Sequence, residues 1–171
     1  MNTKLETKRI IMKPFNDSYL PDFYTEFTDE ITKYQYPDPF KSLEDAKEFI
    51  HYFVDLMNKG KMLELVITTK EDEYLGSIEA HGLDTEYPEV GLWLKSSAHG
   101  KGFGYEALKC MIDYLNSIGL YKGYIYEADK RNLSSIHLVN KFNNTEEGYE
   151  EFKTESGKLL FLKQFKIIAE N

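Results

Sequence analysis

The stretch Trp93-Leu94-Lys95-Ser96-Ser97-Ala98-His99-Gly100-Lys101-Gly102-Phe103-Gly104-Tyr105-Glu106-Ala107 sets three alternating glycines between a strand-like run and a helical one. Glycine tolerates positive φ and close backbone approach, and the first-turn amides of a helix have no carbonyl partner. The chemistry that suits such a turn is binding an anion, with phosphate or pyrophosphate as the natural guest. Two common phosphate-binding patterns fail here. Tyr105 stands where a dinucleotide fingerprint needs its third glycine, and no Gly-Lys-Ser/Thr follows at P-loop spacing. Cys110, between Leu108 and Met111 in the helical run, reads as a buried structural residue and not as an acyl carrier.

These residues must be held by a frame, and the hydrophobic periods outline one. Ile10, Ile11 and Met12 read as a first strand between Leu5 and Phe15, limited by Pro14. Leu20, Phe23, Tyr24 and Phe27 recur at helical spacing between Tyr19 and Glu30, and an aromatic, proline-punctuated loop runs from Ile31 to Phe40. Ser42 precedes Leu43-Glu44-Asp45 as a near capping box for a second helix that Gly60 ends. The period then changes to two over Met62–Ile67, Tyr74–His81 and Glu89–Lys95, three strands in an antiparallel meander. A helix from Tyr105 to Ile118 closes at Gly119. The strand Tyr124–Tyr126 and a helix from Ser135 to Phe142 follow, the latter ending at Asn143-Asn144 in a left-handed conformation. Gly157 divides two strand-like runs within 150–168, a closing hairpin.

The 171 residues carry 21 Lys+Arg and 29 Asp+Glu, a net charge of −8, with one Cys and four His. The length predicts one domain over residues 1–171 with a core that needs neither metal nor disulfide. The acid excess argues against a protein that neutralises nucleic-acid phosphates, and weakly favours a cationic partner. No apolar run is long enough for a membrane span and no secretory signal opens the chain, so the expected setting is cytoplasmic, with no membrane partner.

Motif and element order together resemble the GNAT superfamily of N-acetyltransferases, whose Gln/Arg-x-x-Gly-x-Gly/Ala motif opens a helix. Here the motif reads His99-Gly100-Lys101-Gly102-Phe103-Gly104, with His99 at the end of Ala98-His99 where the family's polar residue is Gln or Arg. The chain is most similar to the RimJ/RimL type, through Glu89-Val90-Gly91-Leu92-Trp93-Leu94, through Gly100-Lys101-Gly102-Phe103-Gly104-Tyr105-Glu106-Ala107, and through Asn132-Leu133-Ser134-Ser135-Ile136. The fold this implies is α/β (α+β): a central mixed, mostly antiparallel sheet flanked by helices, with a C-terminal hairpin.

The resemblance implies acetyl-CoA as co-substrate and direct transfer of its acetyl group to a primary amine, on a protein N-terminus or a small cationic molecule. It places pyrophosphate on the amides from Gly100 to Tyr105, with His99, Lys101, Phe103 and Gly104 in the same turn. Pantetheine runs along Trp93, Leu94 and Lys95, beside Asn132 and Ser135. A backbone N–H of that strand polarises the thioester carbonyl, Trp93 being the expected donor, and Glu89 is the expected base for the ammonium, with Glu79 and His81 as competitors. Tyr34 and Tyr36 wall the acceptor pocket, with Asp38 or Glu30 supplying charge. The family's acid tyrosine corresponds to Val139, so no side chain there protonates the departing thiolate. No metal is implied. Homodimers are common in the family, and a non-catalytic acyl-CoA sensor on the same fold is the alternative reading.

Overall fold

The computed structural model describes residues 3–170. The chain opens as a tight hairpin: β1 (Leu5–Glu6) turns at Thr7-Lys8-Arg9 into β2 (Ile10–Pro14), so the single first strand expected from the sequence is two. A 3-10 turn capped by Asn16 leads into α1 (Leu20–Glu26), with Pro21 inside its first turn where no amide donor is needed. The helix expected to continue to Glu30 stops at Phe27. Thr28, whose hydroxyl accepts from Ile31 N, starts the separate one-turn α2 (Asp29–Thr32). In α3 (Leu43–Asn58) the Ser42 hydroxyl accepts from Asp45 N at 3.1 Å, as the capping sequence predicts.

Three antiparallel strands follow, β3 (Met62–Thr69), β4 (Tyr74–His81) and β5 (Glu89–Leu94). The glycine turn then leads into α4 (Phe103–Ile118), closed by left-handed Gly119, and on to β6 (Gly123–Asp129) and α5 (Leu133–Val139). The hairpin is β7 (Asn144–Lys153) and β8 (Leu159–Ile168), turning at Gly157 with φ +88°. Asp72 is the one non-glycine at positive φ among the described residues, so Asn143 and Asn144 do not end α5 left-handed. Asn144 closes the helix another way: its Nδ2 donates to the carbonyls of Val139 and Phe142 at 3.1 and 3.0 Å.

All eight strands join one sheet in the order β1-β2-β3-β4-β5-β6-β8-β7, mixed but parallel only between β5 and β6. Alternation divides its side chains between two faces. Leu63, Leu65, Ile67, Ile78, Ala80, Val90, Tyr124 and Tyr126 pack with Leu108, Met111 and Leu115 of α4. The opposite face carries Val66 and Trp93 against Phe23 of α1 and Ala46 and Ile50 of α3.

The feature that makes a site is the β5–β6 junction. The register holds a single pair there, Glu89 with Ile125, after which the two strands separate. Between β2 and β5 and from β6 through β7 the ladders run five or more pairs, so the centre of the sheet is continuous except for this wedge. Among the described residues no helix is long and apolar enough to cross a membrane.

Candidate active site

A cavity of about 740 Å³ occupies the wedge. Its walls bring together Tyr34, Tyr36, Glu79, Glu89, Trp93, Leu94, His99, Gly100, Gly102, Gly104, Tyr105, Asn132 and Ser135, all expected from the sequence. Lys95, Lys101, Phe103 and His81 do not line it. Lys95 Nζ is held by Glu73 Oε1 at 2.9 Å, and Phe103 lies under the Arg9 guanidinium, 4.6 Å from its ring centre. His81 is exposed at the outer end of β4, opposite Glu89 in the ladder. Asp38 is paired with Lys158 at 2.8 Å, which removes it as a free charge for the acceptor.

The glycine turn forms the cavity's upper rim. Gly100 and Gly102 sit at φ +72° and +81°, a region where a side chain costs about 1–2 kcal/mol. Gly102 is the N-cap of α4, and the first intrahelical bond is from Glu106 N to Gly102 O. The amides of Phe103, Gly104 and Tyr105 therefore have no helical carbonyl, and with the positive end of the helix dipole they make an anion cradle. Gly104 packs toward Leu92, Leu94 and Leu138, whose side chains a Cβ there would meet at 3.6 to 3.8 Å, ordinary contact distances. His99 Nε2 lies 2.8 Å from Leu94 O. A carbonyl only accepts, so this nitrogen carries the proton and ties the turn to the end of β5.

Strand alternation corrects the expected amide donor. Lys95 N donates to Leu75 O, and Ile125 N donates to Pro88 O. With the β4–β5 register, these bonds fix the directions along β5: odd residues bond toward β4, and even residues turn toward β6. Trp93 N–H is thus committed to Ser77 on β4. Beyond the single β5–β6 pair, the amides that face the open wedge belong to Leu92 and Leu94. Trp93 contributes its ring instead, edge-on to Phe27 with centres 5.0 Å apart and to Phe23 at 5.8 Å.

A row of carboxylates crosses the cavity floor on the α1–α3 face. Glu64 pairs with Glu79, Glu79 pairs with Gly91, Glu89 stands two residues before Gly91, and Glu127 stands two after Ile125, the partner of Glu89. All four line the cavity. Gly91 makes space for the row, because a Cβ there would touch Glu79 Oε1 at 3.4 Å. Burial pushes Glu64 far above the ordinary carboxylate range, and the charge of Glu79 adds to it. Burial also raises Glu79 to about 7. Glu89 keeps solvent access, yet its place in the cavity raises it to about 7 as well, first through loss of water and then through the charges of Glu127 and Glu79. Glu127 accepts from Gln164 Nε2 at 3.0 Å.

The far wall is β6 with the start of α5. Asp129, wholly buried, accepts from Arg131 N, Arg131 Nε, Arg131 Nη2 and Phe161 N at 2.7 to 2.9 Å, which shapes the turn before α5. Asn132 caps the helix by accepting from Ser135 N at 3.2 Å, and Ser135 Oγ lies 2.7 Å from the Tyr126 hydroxyl. Val139 is fully buried and offers the cavity nothing. Tyr126, Glu64, Glu127 and Leu92 were not singled out from the sequence. Glu64 carried a signal: it is the one charge inside the apolar run Met62–Ile67, where a buried carboxylate needs a reason.

A wedge opened between two parallel strands, rimmed by a helix N-terminus and floored by carboxylates, is a cleft suited to group transfer. A family model described as an acetyltransferase (GNAT) domain matches residues 9–143. An uncharacterized N-acetyltransferase, p20, of Bacillus licheniformis is 30% identical over 144 residues, covering 81% of this chain and 80% of that protein. Two solved structures share the fold. One is RimL, a ribosomal alpha-N-protein acetyltransferase, with TM-score 0.84 and 16% identity over 98% of this chain and 95% of that one. The other is a spermidine N-acetyltransferase from Vibrio cholerae in complex with CoA and spermine, with TM-score 0.81 and 17% identity over 95% and 97%. The chain belongs to the GNAT acetyltransferase family. It is an acetyltransferase with acetyl-CoA as its co-substrate.

Proposed function

We propose that this enzyme transfers acetyl from acetyl-CoA directly to the primary amine of a small cationic molecule, in the wedge between β5 and β6. The observation that carries this reading is the convergence of cleft-facing amides on β5 with a carboxylate, Glu89, whose pKa lies near 7. Pyrophosphate rests on the amides from Gly100 to Tyr105, and pantetheine passes between β5 and the Asn132–Ser135 turn. The thioester oxygen accepts from Leu92 or Leu94 N–H. A preorganised donor of this kind is worth about 3 kcal/mol in the transition state.

An alkylammonium with a pKa near 10 has no lone pair to offer. Ionised Glu89 takes its proton, the amine nitrogen attacks the thioester carbon, the C–N bond forms, and the C–S bond breaks as CoA leaves as a thiolate, while the second nitrogen proton passes to solvent as the amide forms. A thiol pKa of about 8.5 lets it depart without a strong acid. The Tyr126 hydroxyl, partnered with Ser135 at the cavity wall, is the protein group best placed to return a proton.

Acceptor choice follows from the floor and walls. Phe23, Phe27, Phe49, Phe53 and Trp93 line the cavity together with Glu79 and Glu64, a combination that suits an alkyl chain bearing positive charge. Both solved structures named above belong to enzymes that act on amines, one on a protein N-terminus and one on spermidine. Calorimetric titration with CoA and acetyl-CoA, followed by thiol release across mono-, di- and polyamines and N-terminal peptides, tests the proposal. Turnover is expected with amines that carry a second cationic centre. Turnover confined to peptides would overturn the small-amine assignment, and CoA binding without turnover on any amine would favour the sensor reading.

A further inference from the structure

We infer that Arg9 is a positioning residue for the pyrophosphate cradle, acting through Lys101 and Glu106 and not by contact with the cofactor. The inference rests on the reading that the glycine turn holds pyrophosphate. Arg9 sits in the β1–β2 turn, more than ninety residues from the motif in sequence, and its guanidinium spans three parts of it. Nη1 donates to Lys101 O at 2.8 Å, Nε donates to Glu106 Oε2 at 2.6 Å, and Nη2 lies 2.6 Å from the same carboxylate oxygen. The flat face of the group covers the Phe103 ring. The same turn adds two more donors to Glu106 Oε1, Arg9 N at 3.1 Å and the Thr7 hydroxyl at 2.5 Å.

Two consequences follow from peptide geometry and charge. The C=O of Lys101 and the N–H of Gly102 belong to one planar trans peptide and point in opposite directions. Holding that carbonyl against Arg9 therefore keeps the Gly102 N–H directed away from Arg9. This matters most at a glycine pair of positive φ, where the backbone is otherwise free to rotate. Glu106 poses a separate problem, since a carboxylate in the first turns of α4 repels an anion at the helix N-terminus. Thr7 and Arg9 occupy both its oxygens, and the Arg9 guanidinium balances its charge. Arg9 and Glu106 do not line the wedge cavity with Gly100, Gly102, Gly104 and Tyr105; they line a neighbouring, more open cavity that meets it at Gly102 and Tyr105.

The test compares acetyl-CoA with S-acetylpantetheine, which carries the thioester arm but no pyrophosphate. Arg9→Ala is expected to raise KM for acetyl-CoA about tenfold, leaving kcat, KM for the amine and kcat/KM for S-acetylpantetheine as in the wild type. Arg9→Lys, which keeps the charge but has no fork to reach Lys101 O and Glu106 together, is expected to lose part of the same advantage and serves if Arg9→Ala does not fold. Glu106→Gln discriminates positioning from direct contact. Weakened CoA binding supports positioning, whereas tighter binding that Arg9→Ala in the same chain abolishes would mean that a released Arg9 is itself a phosphate ligand and would overturn the inference. An equal loss with both donors, or no change with acetyl-CoA, would overturn it too. A wild-type enzyme that does not prefer acetyl-CoA over S-acetylpantetheine would instead remove the pyrophosphate assignment beneath it.

Discussion

Replacing Glu89 by Gln removes the carboxylate from the β5–β6 junction while keeping its size and one hydrogen-bonding oxygen. If Glu89 accepts the ammonium proton, the loss in kcat should be about 100-fold or more. The pH profile is the sharper readout. Glu89 is raised to about 7, chiefly by loss of water and then by the charges of Glu127 and Glu79. A base works only when ionised, so kcat/KM for the amine should rise with pH: about one tenth of Glu89 is ionised at pH 6 and about nine tenths at pH 8, a roughly tenfold increase. Measured at saturating acetyl-CoA, kcat/KM for the amine reports Glu89 before the amine binds, and an amine with a pKa near 10 stays an ammonium across this range. Glu127→Gln removes the larger of the two neighbouring charges, so its midpoint should move to lower pH, and by more than with Glu79→Gln. Thiol release followed in mixed buffers at constant ionic strength gives all four profiles. A Glu89→Gln enzyme with the wild-type rate and midpoint would refute the assignment. An unchanged midpoint in Glu127→Gln would show that the titration seen is not that of Glu89.

Three further expectations use other parts of the molecule. Gly102→Ala forces a side chain to φ +81° with its Cβ 3.4 Å from Arg9 Nη2; calorimetry should show CoA affinity reduced about tenfold, from a strain of about 1–2 kcal/mol. Cys110→Ser should retain acetyl transfer, because the thiol is half-buried on α4 and burial raises its pKa, away from a reactive thiolate; a dead Cys110→Ser enzyme that still folds and binds CoA would reinstate an acyl-carrier role. Glu79 has a folded pKa of about 7, above the ordinary 4.5. Its contribution to stability is therefore fully present below about pH 4.5 and lost as pH rises through 7. Thermal melts should find Glu79→Gln more stable than wild type at pH 8, with the advantage gone at pH 4.5.

Much of the frame was legible because local signals and tertiary packing agree. Ser42 caps α3, Gly119 ends α4 in the left-handed region, and the period-two runs after Gly60 become β3, β4 and β5. Readings failed where a polar side chain supplied an alternative to the backbone signal. Thr28 breaks the first helical stretch by capping a new turn, and Asn144 closes α5 with its side-chain amide while its backbone stays extended in β7. The glycine turn and the β5 and Asn132–Ser135 parts of the cavity wall were visible as motifs. What the sequence hid is set by pairing across strands. Whether Trp93 or its neighbours present an amide to the wedge depends on one bond, from Lys95 N to Leu75 O, that fixes the parity of the whole strand. Glu64, Glu79, Glu89 and Glu127 lie on four strands and become a row only through register. Arg9 reaches the glycine turn from the far end of the chain, with no local pattern to mark the contact.

Direct transfer in the wedge is tested most simply by one rapid-quench single turnover with acetyl-labelled acetyl-CoA and a diamine. The account predicts label moving from acetyl-CoA to the amine nitrogen, one CoA thiol released per amide formed, and no label on the protein at any time. Label appearing on the protein before the amide, or CoA released without an acetylated amine, would contradict it.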